Sequence, residues 1–200
     1  MSFATLRKTV CTDIDISTAL KEITSSPHIG DVLAFDLLDG RPIDCVVTGI
    51  DDDAIRFDSM DSLGDCMTHG RVKKWLDRID HLLPDELRKA IVNTERKHVI
   101  DGMKICHLER LFLPAASELF SGDSVLGDEE LYKQMDWYKD CRHRMRMDEH
   151  NGDFNAYWTS SQHSGSPSNF CFVGSNGGAG RSNASCTWLS VPVCFRVRKS

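Results

Sequence analysis

Eight cysteines, Cys11, Cys45, Cys66, Cys106, Cys141, Cys171, Cys186 and Cys194, carry the widest chemical range in this sequence. None of them forms the C-x-x-C or C-x₂₋₄-C pair that opens a zinc knuckle or a dithiol centre. A zinc site could draw only on Cys106-His107 and Cys141-x-His143, and adjacent residues rarely ligate one ion together. The pattern predicts reduced, mostly buried thiols that act as small hydrophobes in a protein made in a cytosol. Asp51, Asp52 and Asp53 put three carboxylates in a row without the rest of a calcium-loop pattern, which predicts a solvated turn. No Gly-x-Ser-x-Gly elbow exists, so Ser/His hydrolase chemistry lacks its nucleophile, and His163 near Ser160-Ser161 reads as a surface residue rather than a base. The basic knot Arg142-His143-Arg144-Met145-Arg146 balances residues 1–65, which hold 13 acids against 5 bases. A solvated or paired face, within the chain or between subunits, explains that balance better than a phosphate site does.

The composition bounds the rest. With 200 residues, 40% of them hydrophobic and 27% charged, the chain can bury one medium core. No run of eighteen apolar residues exists, so membrane insertion is not expected. The N-terminus mixes Arg7, Lys8, Asp13 and Asp15 with no apolar stretch, so no secretory signal is expected, and synthesis would be cytoplasmic. A net charge of −6 argues against a nucleic-acid partner bound through its phosphates. Charge also divides the chain. Residues 1–158 hold 50 of the 54 charged side chains, whereas 159–190 hold only Arg181 among nine Ser, five Gly, three Asn and two Thr. Phe170, Phe172, Val173, Trp188 and Leu189 interrupt that polar run, which predicts an ordered, loop-rich surface rather than a linker.

The elements that must position these residues follow from periodicity. Thr12/Asp13 and the spacing Ile14, Ile16, Leu20, Ile23 predict an amphipathic helix within a lead-in over 1–27. Val32, Leu33 and Phe35, then Cys45-Val46-Val47, then Ile55 and Phe57, separated by Asp39-Gly40 and Asp51–Asp53, predict a meander of three antiparallel strands. Val72, Trp75, Leu76, Ile79, Leu82 and Leu83 share one helix face, and Pro84-Asp85-Glu86 restarts a second helix with Leu87, Ala90 and Ile91. Trp75 is expected to be a core anchor. Strands are predicted at Met103–Leu108 and Leu111–Leu113, a short helix from Pro114 to Phe120, a polar excursion over 121–153, and a closing strand at 191–197.

The order of these motifs resembles bacterial and phage C-type-lectin-like domains of unassigned function. The resemblance rests on Lys74-Trp75-Leu76, Leu111-Phe112-Leu113-Pro114 with Ser117-Glu118, Tyr157-Trp158-Thr159-Ser160-Ser161 and Val191-Pro192-Val193-Cys194-Phe195-Arg196-Val197. It implies an α+β fold with short antiparallel strands, two or three helices and a long loop-rich C-terminal segment, covering 28–200. The tail is most similar to the variable proteins of diversity-generating retroelements, in which error-prone copying rewrites adenine-containing codons in a C-terminal cassette. That resemblance implies a non-enzymatic protein without cofactor or metal. Its face over 159–190 would meet a macromolecular ligand, such as a protein or a cell-surface receptor, as in a phage receptor-binding protein.

On that reading Phe170, Val173, Gly177, Ala179, Ala184 and Ser185 form the frame. The ligand-binding positions are His163, Phe172, Gly174, Asn176, Gly178, Gly180, Arg181, Ser182, Cys186, Thr187, Trp188 and Leu189. Ser, Gly and Asn around a few aromatics is also the palette of antibody loops, and Phe172, Arg181 and Trp188 are the anchor types. Outward positions on a stiff frame are expected to vary at little cost. The tail departs from the Tyr- and Asn-rich pattern of many such proteins. Two alternatives stand beside this reading. Formylglycine-generating enzymes share the fold and bind copper through a cysteine pair, for which Cys186 and Cys194 are the candidates, although the acidic and Arg-rich surroundings of that group are missing. A structural virion subunit would bury 163–189 against its neighbours. Calcium-dependent sugar binding is disfavoured because 159–190 contains no acid.

Overall fold

The computed structural model describes residues 15–63, 65–121, 131–148 and 152–200. The predicted helix is present as α1 (Ile16–Ser25), with Leu20 in the main core; its proposed start at Thr12/Asp13 and Ile14, like Cys11, lies outside the described residues. The meander follows as β1 (Val32–Asp36), β2 (Pro42–Ile50) and β3 (Ala54–Ser59), paired antiparallel with Leu33 opposite Cys45 and Val47 opposite Phe57. Alternation sends Leu33, Cys45, Val47, Ile55 and Phe57 into one core. The helical stretch splits at Leu83-Pro84 into α2 (Val72–Leu82) and α3 (Asp85–Ala90), since Pro84 cannot continue the hydrogen-bond ladder. Trp75 is a buried anchor, and its indole N–H donates to Asp65 at 2.7 Å.

The chain then makes a hairpin, β4 (Thr94–Ile100) and β5 (Met103–Glu109), followed by β6 (Leu111–Phe112), α4 (Ala116–Leu119), and the small pair β7 (Arg146–Met147) and β8 (Phe154–Asn155). β9 (Tyr157–Gln162), β10 (Asn169–Val173) and β11 (Ala179–Asn183) form a separate antiparallel sheet in the order β11-β10-β9. The last strand, β12 (Cys194–Arg198), inserts between β3 and β6 of the five-stranded sheet β1-β2-β3-β12-β6. The molecule is therefore α+β, built of small antiparallel sheets with few helices. The 159–190 stretch is ordered and loop-rich as expected, with three short strands set between its turns. β4 was not anticipated, because its Glu-Arg-Lys-His run lacks an apolar alternation.

Both faces of β3 are buried, and they differ in kind. Ile55 and Phe57 face the apolar core, while Arg56 and Asp58 face a sealed ionic layer. There Arg56 donates to Asp58 (2.8 Å) and Glu118 (2.5 Å), Arg96 donates to both Glu118 oxygens (2.7 Å each), and both guanidiniums lie over the Phe112 ring. Of the two forms expected for the basic knot, solvated or paired, the paired form within the chain accounts for most of it. Arg146 is buried, lies over the Tyr157 ring, and donates to the Tyr138 hydroxyl (3.0 Å), which in turn donates to Asp58. Arg144 donates to the carbonyls of Tyr138 and Gly177, and Arg142 stays outside, paired with Asp140. A planar, permanently charged fork that meets carbonyls and rings along its length can be buried where a lysine could not.

Candidate functional site

The β9–β10–β11 sheet carries most of the predicted ligand positions, and its geometry sorts them. Cys171 and Val173 are buried against α4 and its neighbours, while Phe170 and Phe172 point to the main core side. Across the β10–β11 ladder Phe172 stands opposite Gly180, Phe170 opposite Ser182, and Cys171 opposite Arg181. Phe172, Gly180 and Ser182 therefore share one face, and Arg181 projects from the other. The twelve positions do not form a single surface.

On the first face the Phe172 ring lies across Gly180 so closely that a Cβ there would overlap it. Trp188, 57% exposed, meets Phe172 edge-on with ring centroids 5.5 Å apart. Thr187 is exposed beside it, and Cys186 is half-buried, packed on the main core. Gly174, Asn176 and Gly178 build the β10–β11 turn. Gly174 N–H donates to the Gly178 carbonyl (2.7 Å), and Asn176 Oδ1 accepts from Gly178 N–H (3.0 Å). Gly177 takes φ +78°, and a Cβ there would meet the Cys141 carbonyl oxygen at 2.5 Å.

Three positions are corrected by their surroundings. Leu189 is fully buried in the main core, where its carbonyl accepts from Met67 N–H and the next residue, Ser190, bridges to Cys66 and Tyr157. His163 is buried rather than a surface residue. It receives the Gly165 N–H at Nδ1 (3.0 Å), and its Nε2 lies 3.0 Å from Arg181 Nη1, on the face away from Trp188. Gly180 is pinned by the Phe172 ring, so it is not a freely varying position. Of the frame positions, Val173 and Gly177 are buried, Phe170 and Ala184 half-buried, and Ala179 and Ser185 exposed.

A groove of about 580 Å³ between α2, the β4–β5 hairpin and β9–β10 was not legible from motifs. Its wall is His69, stacked on Phe170 (3.5 Å between centroids) and edge-on to Trp158, with Nε2 3.2 Å from the Thr159 carbonyl. Burial pushes the His69 pKa down to about 4, against the opposing pull of the Thr159 carbonyl. His98 Nε2 lies 3.1 Å from Glu109, with the His107 ring 5.8 Å from the His98 ring. The sequence signal is slight: His98 and His107 lie on the two strands of one hairpin, and His69 comes from an earlier segment.

Among the described residues no three His, Cys, Asp or Glu are gathered so as to hold a metal ion. Cys45, Cys171 and Cys194 are buried, whereas Cys66, Cys106 and Cys141 are exposed, so the expectation of mostly buried thiols holds for only some of them. Burial pushes the Cys194 thiol well up, with Asp58 adding to the effect, so it is protonated and enclosed; Cys186 sits in a different segment, half-exposed. Among the described residues no helix is long and apolar enough to cross a membrane.

The fold and these surfaces define an α+β domain with an exposed aromatic pair and a lateral groove. Residues 68–199 match the family model of DUF6273, a domain of unknown function, and the chain belongs to that family. No curated protein and no solved structure matches it.

Proposed function

We propose that the protein is a non-enzymatic, C-type-lectin-like recognition module that presents the Phe172–Trp188 face of its C-terminal sheet to a macromolecular ligand. The proposed ligand is a protein or a cell-surface receptor. The observation that carries this reading is the exposed indole of Trp188 braced edge-on by Phe172, on a sheet whose opposite face is packed on α4. A large rigid aromatic that is held in place yet solvent-facing costs little entropy to bury on binding, which is the character of a hot-spot anchor. Beside it stand exposed Thr187 and, on the Phe172 face of β11, half-buried Ser182, small polar groups suited to adaptable hydrogen bonds. The return of β12 to pair beside β3, with a smaller sheet set apart from the main one, supports the lectin-like reading.

The retroelement form of this proposal makes a genomic prediction. The DNA for residues 155–197 should have a near-copy beside a reverse transcriptase, differing only at adenines; its absence from the source genome removes that form. The recognition surface itself is tested by joint replacement of Ser182, Thr187 and Trp188. Such variants should keep the melting temperature within about 2–4 °C, the shift that 1 kcal/mol produces in a chain of this size. A collapse of the cooperative transition overturns the idea that these positions are free to vary. The enzyme alternative is disfavoured because one of its two cysteines, Cys194, has an enclosed, protonated thiol.

A further inference from the structure

We propose that His163 and Arg181, on the sheet face away from Trp188, form a binding site for a carboxylate group. This site goes beyond the recognition face above and does not depend on it.

His163 Nδ1 accepts the Gly165 N–H at 3.0 Å, so Nδ1 carries no proton. A neutral imidazole has one N–H, which must then sit on Nε2. Nε2 lies 3.0 Å from Arg181 Nη1, and a guanidinium offers only donors. Two N–H groups therefore confront each other at hydrogen-bonding distance with no acceptor between them. Turning the ring over offers no relief, because it puts carbon atoms opposite both partners. An oxygen with two lone pairs, set between the nitrogens, satisfies both donors at once.

The surroundings say which group moves and what charge fits. His163 is 7% exposed, and its backbone is held by the Asn169 carbonyl and the Ser166 N–H. Arg181 is exposed on the edge strand β11 and has no ion-pair partner among the described residues. Arg181 swings outward to admit the oxygen, and His163 stays. His163 also lines a cleft of about 520 Å³ with Asp101, Gln162 and Ser164, where Asp101 Oδ1 accepts from Gln162 Nε2 at 3.4 Å. The Asp101 carboxylate opposes a doubly charged phosphate more than a singly charged carboxylate, since the repulsion scales with ligand charge.

The test is a titration of the ¹⁵N-labelled full chain at pH 8 in chloride-free buffer of constant ionic strength. Sodium acetate is the probe, and inorganic phosphate is run in parallel. The imidazole spectrum should show the proton of His163 on Nε2. Acetate should move the His163 Nε2 and Arg181 Nε resonances along a saturable curve with Kd on the order of millimolar, as expected for one ion-paired contact. Phosphate should bind several-fold more weakly, and Asp101→Asn should narrow that gap. Arg181→Gln, at an exposed position, should weaken acetate at least tenfold, while Trp188→Ala should leave it unchanged. A proton on Nδ1, a non-saturating response, phosphate binding at least as tight as acetate, or full acetate binding by Arg181→Gln would each overturn the proposal.

Discussion

Gly180 and Arg181 are neighbours in sequence and opposites in consequence. The Phe172 ring occupies the space that a Gly180 side chain would need, so Gly180→Val must displace a ring that braces Trp188. We expect a loss of about 1–3 kcal/mol, the usual range for overpacking, which corresponds to a melting temperature lower by several degrees. Arg181→Ala removes an exposed side chain with no carboxylate partner and should stay within about ±0.5 kcal/mol. Thermal melts of the two variants side by side decide the matter, and equal melting temperatures would refute the packing account. The same contrast explains what was readable here. Residue types marked Phe172, Arg181 and Trp188 as candidate anchors, but Leu189 and Trp188 are adjacent apolar residues, and nothing in their types says that one is buried and the other exposed.

At the scale of elements, β12 is the strand on which the larger sheet depends. It pairs with β3 on one side, through Phe195 opposite Phe57, and with β6 on the other, through Cys194 opposite Phe112. Phe195 and Val197 are fully buried in the main core, where the Phe195 ring stacks on Phe57 at 5.3 Å. Losing a buried Phe costs about 3–5 kcal/mol, and deleting the strand also strips backbone partners from β3 and β6. A chain ending at residue 193 should therefore show no cooperative unfolding transition by circular dichroism or calorimetry, because the loss is comparable to a whole domain's stability of about 5–15 kcal/mol. A cooperative melt from that shortened chain would contradict this role. The meander, the split helix at Pro84 and the closing strand were legible from periodicity and turn residues. β4, β10 and β11 were not, because charged, Gly and Ser residues break the apolar alternation that marks a strand.

For the molecule as a whole, buried ionisable groups set the response to acid. Burial holds His69 neutral with its pKa down at about 4, so the folded state resists a proton that the unfolded chain takes near 6.5. Its contribution is complete above about 6.5 and fades as pH falls toward 4, to a total on the order of 3 kcal/mol. Burial alone would raise the Glu118 pKa, but the Arg56 and Arg96 guanidiniums outweigh it and bring it to about 2. That contribution is complete above about 4.5 and is lost as pH falls from there toward 2. Stability should thus decline in two stages on acidification. His69→Gln should flatten the first stage in urea melts taken between pH 7 and 4; an unchanged slope would reject the assignment.

Local pattern was enough to establish an α+β chain, a lead-in helix, the early strands, the two helices around Pro84 and a sparsely charged C-terminal stretch that is ordered. These follow from nearest-neighbour preferences and from the period of apolar residues, which any segment carries within itself. Three-dimensional packing was needed to separate the twelve candidate positions onto two faces of one sheet. It also buried His163, Leu189 and Arg146, and gathered His69, His98 and His107 around one groove. Those outcomes depend on which other segment covers each face, and contacts between separate elements leave no periodic trace in the chain.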